Sequence, residues 1–226
     1  MSISPTIVFD LDGTLVDTAP DLIGTLDEIL MKEGCAPVGL EQGRNRVGQG
    51  VRALLEKGFM AEGLRVGPAR FERLYADFLA RYESRIAAES RPFPGVRRTL
   101  KRLAREGWTL AVCTNKLEAL SRKLLAELGL LRDFAAVCGS DSFGVRKPDP
   151  AALLGTPAKA GGRSDCAVMV GDSRTDCDTA RNASVPIIGV SFGYTDVPMA
   201  DLGPDRLISN FADLPEAAEG LVCARV

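Results

Sequence analysis

The chain of 226 residues contains no histidine. That absence removes Ser-His-Asp catalysis, histidine phosphatase chemistry and most histidine-ligated metal sites. Acid–base work must fall to carboxylates, lysine, tyrosine or cysteine. Cysteine is scarce: Cys35, Cys113, Cys138, Cys166, Cys177 and Cys223, none in a C-x-x-C pair. Neither a zinc knuckle nor a thioredoxin site is supported. No cysteine has an arginine six positions later, the spacing that cysteine phosphatases use. Cys113, Cys138 and Cys166 sit in or beside apolar runs and read as small core residues. There is no excess of basic charge; the net charge of -2 offers no surface for nucleic acid. No apolar run approaches the roughly 18 residues of a membrane span. No charged-then-apolar leader precedes the first strand pattern. These absences predict a cytoplasmic protein without a membrane partner.

Hydrophobic residues make up 46% and charged residues 26%, the balance of an ordinary globular protein. The length suffices for one large or two small domains. The stretch Thr6-Ile7-Val8-Phe9-Asp10-Leu11-Asp12-Gly13-Thr14-Leu15-Val16-Asp17-Thr18 organises the rest. Ile7, Val8 and Phe9 read as a buried strand. It ends in two aspartates, which cannot stay buried without a charged partner. Gly13 allows a sharp turn there. In open α/β sheets that carboxyl edge is where ligands bind. Asp10 and Asp12 are two apart and point the same way on an ideal strand. Aligned carboxylates suit a cation, a shared proton, or a nucleophile beside an acid/base.

After Thr18 the pattern is helical. Leu22, Ile23, Leu26, Ile29 and Leu30 recur at helical spacing until Gly34. A shorter helix is expected over 51–60. A longer one starts near Pro68 and carries Phe71, Leu74, Tyr75, Phe78, Leu79, Tyr82 and Ile86 at a 3.6 period. No strand pattern falls between Leu15 and Arg91. From Phe93 onwards helices and strands alternate: helices over 96–106, 117–128, from Pro150 and over 175–183; strands over 109–113, 134–138, 166–170 and 186–190. Such alternation specifies a doubly wound, mostly parallel α/β sheet of Rossmann type. The expected division is an α/β core of residues 1–15 and 92–226, split by a helical cap of residues 16–91. The chain crosses between them near Val16 and Pro92.

The later strands end in polar groups of distinct kinds. Thr114-Asn115 follows one strand and precedes a helix, a placement that serves a phosphate as readily as a helix cap. Lys147 stands before Pro148, where a lone lysine is ordinarily solvated. Val168-Met169-Val170 delivers Gly171-Asp172-Ser173-Arg174-Thr175-Asp176, two further carboxylates.

In that order these segments resemble the four motifs of the haloacid dehalogenase superfamily, in its magnesium-dependent phosphatase branch with a helical cap. Asp12 distinguishes the branch, because the dehalogenases lack it. The resemblance covers nearly the whole chain. It implies Asp10 as nucleophile and Asp12 as general acid/base. Thr114, with Asn115 beside it, would bind the transferring phosphoryl group, and Lys147 would neutralise charge around the nucleophile. Asp10, Asp12, Asp172 and Asp176 would form the Mg2+ site. Val112-Cys113-Thr114-Asn115-Lys116 and Gly171-Asp172-Ser173-Arg174 look most like phosphoglycolate phosphatases. Two departures stand out. Ser184 falls where glycine is usual, which concerns only a turn. Gly155-Thr156-Pro157 interrupts a segment that is usually helical, and predicts a kinked or short helix.

Four ionised aspartates and a phosphate dianion would gather six negative charges. One unit pair at 4 Å costs about 4 kcal/mol at an effective dielectric near 20. A divalent cation and Lys147 remove three charges, and a proton on Asp12 a fourth. Hard carboxylate oxygens select magnesium over zinc. The implied reaction is phosphomonoester hydrolysis through an aspartyl-phosphate. Gly48-Gln49-Gly50-Val51-Arg52-Ala53 mimics a dinucleotide fingerprint, but no strand precedes it. In the resembled family this loop faces the active site, so Arg46, Gln49 and Arg52 are expected to meet the leaving group. The expected substrate is a small phosphorylated metabolite, 2-phosphoglycolate first, with the protein a monomer or homodimer. Pyrophosphatase and phosphosugar mutase activities are alternatives in the same superfamily. A phospho-acceptor switch is a more distant one, because receivers have about half this length and no cap.

Overall fold

The structure is a computed structural model that describes residues 4–222. Cys223 and the outer ends of the expected core segments lie outside the described residues. The chain starts with β1 (Thr6–Phe9), β2 (Val16–Asp17) and the helices α1 (Ala19–Lys32), α2 (Leu40–Gly43), α3 (Val51–Ala61) and α4 (Pro68–Ser84). It continues through β3 (Arg91–Pro92), α5 (Val96–Arg105), β4 (Thr109–Cys113), α6 (Glu118–Glu127), β5 (Ala136–Cys138) and α7 (Pro150–Lys159). The last elements are β6 (Ala167–Gly171), α8 (Arg174–Asn182), β7 (Ile187–Val190), β8 (Arg206–Ile208) and α9 (Leu214–Val222).

Among the described residues, six strands form one parallel sheet in the order β5-β4-β1-β6-β7-β8. β1 is central and its four residues are buried, as a strand covered by helices on both faces must be. Its register pairs Phe9 with Val112 on one side and with Val170 on the other. Asp10, Thr114 and Asp172 therefore leave the sheet at one edge. The strand order reverses between β1 and β6, and a crevice opens beyond such a switch point.

Between β2 and β3 the described elements are all helical. β2 and β3 themselves pair antiparallel, Val16 with Pro92 and Asp17 with Arg91. The two chain crossings are thus a short ribbon, which the sequence pattern did not show because two residues carry no periodicity. Leu22, Ile23 and Leu26 of α1, Leu54 and Phe59 of α3, and Phe78 and Tyr82 of α4 are buried. They join Ile7, Phe9, Leu11 and Leu15 in one apolar cluster. Each such side chain contributes roughly 1.5–3 kcal/mol when fully buried, so the helical insertion is seated on the sheet edge by its own core residues.

Two departures in the sequence have clear outcomes. α7 runs through Pro157 and ends two residues later; the proline falls in the last turn, where it forfeits one intrahelical bond. Asp149 caps its start, accepting from the Ala151 amide at 2.9 Å. Ser184 takes a left-handed conformation, φ 54°, just past α8. That is the helix-ending position glycine serves without steric cost.

Candidate active site

Asp10 is 4% exposed and faces three charged groups. Lys147, from the loop before α7, places Nζ 2.9 Å from Asp10 Oδ1 and 2.6 Å from Asp176 Oδ1. The Asp10 carboxyl is raised to about 7: burial pushes it up, Lys147 pulls it back, and Asp176 pushes it up again. Burial alone would favour a neutral Lys147 amine. Asp10 and Asp176 outweigh it and raise the Lys147 pKa.

Asp172 follows β6. Thr14 Oγ1 donates to its Oδ1 and the Tyr194 amide to its Oδ2, both at 2.7 Å. Burial, then the charges of Asp176 and Asp10, push its carboxyl well above the usual range. Asp176 lies in the first turn of α8 and completes a capping box with Ser173. Its Oδ2 accepts from the Ser173 hydroxyl at 2.6 Å, and from the Ser173 and Asp172 amides at 3.1 and 3.2 Å. Gly193 gives Asp172 room: a Cβ there would lie 2.1 Å from the Asp172 Cβ.

Asp10, Asp172 and Asp176 each offer an oxygen within 4.8 Å of one another. All three are buried, and Asp10 Oδ1 lacks an aligned hydrogen-bond donor despite its ion pair. A hard divalent cation fits such an oxygen set and would relieve its like-charge repulsion. The fourth expected ligand, Asp12, is not in the cluster through its carboxylate. Lys116 Nζ lies 2.8 and 2.9 Å from its two oxygens, and Thr18 Oγ1 donates at 2.7 Å. Lys116 therefore sets a second fixed positive charge at the sheet edge, beside that of Lys147.

Thr114 and Asn115 follow β4. The Thr114 amide donates to Cys138 O at 3.0 Å, and its hydroxyl accepts from the Lys116 amide at 3.2 Å. Asn115 Nδ2 donates to Lys147 O at 3.2 Å, while its Oδ1 is buried without a partner. A cavity of about 290 Å³ opens above these groups. Asp10, Asp12, Thr114, Asn115 and Lys116 form its floor, and α3 and α4 supply Arg52, Leu54, Tyr75 and Tyr82.

The three cap residues lie in different places. Arg46 does not line the cavity; it donates to the Lys57 carbonyl at 2.9 Å and ties the cap together. Gln49 is exposed and also off the wall, although Gly48 and Gly50 on either side reach it. Arg52 does line it, but its guanidinium is held by Glu72 at 2.6 and 2.8 Å and stacks 4.1 Å from the Tyr75 ring centroid. Sequence reasoning missed Lys116, Tyr82 and Arg146, all on the wall. Lys116 adjoins Thr114-Asn115, which was the available signal; Tyr82 was legible only as a core position.

The haloacid dehalogenase-like hydrolase family model matches residues 7–190. The chain is 48% identical over 215 residues to a phosphoglycolate phosphatase of Agrobacterium fabrum, covering 95% of this chain and 92% of that one. It is 48% identical over 212 residues to a phosphoglycolate phosphatase of Caulobacter vibrioides, covering 94% and 90%. A crystal structure of a predicted phosphoglycolate phosphatase from Haemophilus somnus 129PT superposes with a TM-score of 0.88 at 28% identity, covering 96% and 99%. Sheet order, the acidic groups at its carboxyl edge and these relatives agree: the chain belongs to the haloacid dehalogenase-like hydrolase family.

Proposed function

We propose that this chain is a magnesium-dependent phosphatase of small phosphomonoesters, with 2-phosphoglycolate as its substrate. The observation that carries the reading is the convergence of Asp10, Asp12 and Thr114 beneath one cavity, with Lys147 paired to Asp10. The names of the relatives support the choice of ester. Residues 1–15 and 92–226 act as the catalytic core and residues 16–91 as the cap that covers it.

Asp10 attacks phosphorus, forming an aspartyl-phosphate as the ester bond breaks. Asp12 passes a proton to the departing oxygen. It then takes one from water, whose oxygen attacks the phosphoenzyme and frees Asp10 and inorganic phosphate. Thr114 Oγ1 and the Asn115 amide meet the phosphoryl oxygens. Lys147 holds its charge beside Asp10 through both half-reactions. Asp10, Asp172 and Asp176 would hold magnesium, which when bound supplies fixed positive charge to the phosphoryl oxygens. A hydrolysis screen of small phosphate esters, with magnesium and with chelator, tests the reading. Release of phosphate from 2-phosphoglycolate that needs magnesium is expected. Full turnover in excess chelator overturns the metal role, and a tenfold preference for sugar phosphates or pyrophosphate overturns the substrate.

A further inference from the structure

Three cationic side chains reach the cavity wall: Arg52, Lys116 and Arg146. Arg52 and Arg146 are exposed, and Arg52 is already paired with Glu72. Lys116 is buried at 7% exposure. Its Nζ lies 4.7 Å from the ring centroid of Tyr82, which comes from α4 in the cap. Tyr82 is fully buried, and its hydroxyl, which has Lys116 as its polar neighbour, makes no well-aligned hydrogen bond. A buried polar group without an aligned partner calls for an explanation, and a ligand is one. Burial pushes the Tyr82 phenol up to about 12, so the hydroxyl keeps its proton and can donate. Asp12 occupies no more than two of the three N–H groups of Lys116.

We propose that Lys116 of the core and Tyr82 of the cap form a subsite that holds a carboxylate on the leaving group. The inference rests on the phosphatase reading and extends it. Lys116 brings charge and Tyr82 a neutral donor to the cavity beside Asp12, where the departing oxygen must lie. Much of the remaining wall is apolar, with Leu22, Val47, Leu54, Leu79 and Leu120. Sugar hydroxyls set against these side chains would lose water without gaining partners. A single ammonium already shared with Asp12 suits a monoanion rather than a second phosphate dianion. Because the subsite takes one group from each side of the cleft, an anionic leaving group also favours the cap seated on the core.

The test compares kcat/KM for 2-phosphoglycolate and for ethyl phosphate, which lacks the carboxylate. Wild type, Lys116→Gln and Tyr82→Phe are measured with magnesium. Hydrogen bonds to charged groups are worth enough that Lys116→Gln should lower the ratio of the two kcat/KM values by about ten- to a hundredfold. Tyr82→Phe should lower it about fivefold, chiefly through KM for 2-phosphoglycolate. Tyr82→Phe removes only the hydroxyl and keeps the buried ring, so it decides the matter even if the lysine variant fails to fold. Equal proportional losses on both esters in Tyr82→Phe, or no loss on either, overturn the subsite. Wild type that hydrolyses both esters equally well overturns the subsite and leaves the phosphatase standing. Wild type that hydrolyses neither overturns both.

Discussion

Tyr194 binds Asp172 through its main chain while its side chain reaches the cap crossing. Its amide donates to Asp172 Oδ2 at 2.7 Å. Its hydroxyl donates to Asp17 in β2 and accepts from the Ala19 amide at 3.0 Å. Asp17 in turn holds Arg44 of the cap through two contacts, 3.0 and 3.2 Å. One residue thus links a proposed metal ligand to the ribbon on which the cap sits. Tyr194→Phe should lower stability by about 1 kcal/mol, the net worth of a hydrogen bond. Magnesium affinity should hold within about twofold, because the amide contact to Asp172 survives. Urea denaturation and magnesium titration check the two halves; a large loss of metal affinity would show that the hydroxyl, not the amide, positions Asp172.

The division of labour at the sheet edge is open to direct test. Asp10→Asn should yield no phosphoenzyme in acid-quench trapping with radiolabelled substrate, and should lower kcat on the order of 10³-fold or more. Lys147→Ala leaves Asp10 and Asp176 as uncompensated buried charges and should cost about 3–5 kcal/mol of stability besides activity. Near wild-type turnover by Asp10→Asn would remove Asp10 from the nucleophile's role.

Gly193 lies off the cavity wall, yet its lack of a side chain is required. A Cβ there would lie 2.1 Å from Asp172 Cβ and 2.5 Å from Asp172 Oδ2. Gly193→Ala should displace Asp172 and weaken magnesium binding by about tenfold or more, as loss of an outer-shell support does. Calorimetric titration of magnesium reads this, and unchanged affinity would mean that Asp172 is not a ligand.

The buried carboxyls set a pH dependence for the metal-free protein. Asp10 is raised to about 7, and Asp172 is also raised, by burial first. The folded state therefore binds these protons more tightly than the unfolded chain. This contribution costs nothing below the unfolded carboxyl pKa near 3.9 and destabilises progressively as pH rises through about 7. Magnesium needs the ionised ligands and opposes the trend. Its stabilising effect should be larger at about pH 8 than at about pH 5.5. Urea midpoints at both pH values, with and without magnesium, decide it; equal stabilisation at both would contradict the site.

Arg52→Ala should change the preference for 2-phosphoglycolate over ethyl phosphate less than about twofold, because an exposed pair such as Arg52–Glu72 contributes little. A loss as large as that from Lys116→Gln would return the leaving-group role to Arg52.

The sequence by itself determined the sheet, the helical insertion and the carboxylates at the strand ends. Those features are local: a short apolar run ending in Asp10 and Asp12 fixes both the strand and the place where charge must emerge. The parallel alternation after Phe93 left little freedom in topology. Weak local signals were lost, so β8, α9 and the two-residue ribbon of β2 and β3 escaped notice. Partnership was decided only by tertiary structure. Lys147 stands 29 residues from Asp176, and Lys116 stands 104 from Asp12; no periodicity reports such pairings. Tyr82 sits in a helical stripe whose spacing spells core, and only the packing of α4 against α1 and α3 brings it beside Lys116, in the loop after β4. Arg46 and Arg52 looked alike in sequence because both are cations near glycines. The fold separates them: the Lys57 carbonyl holds one away from the cavity, and Glu72 holds the other on its wall. Charge near a loop is a property of sequence, whereas the partner that satisfies it depends on which distant backbone and side chains the core brings within 3 Å.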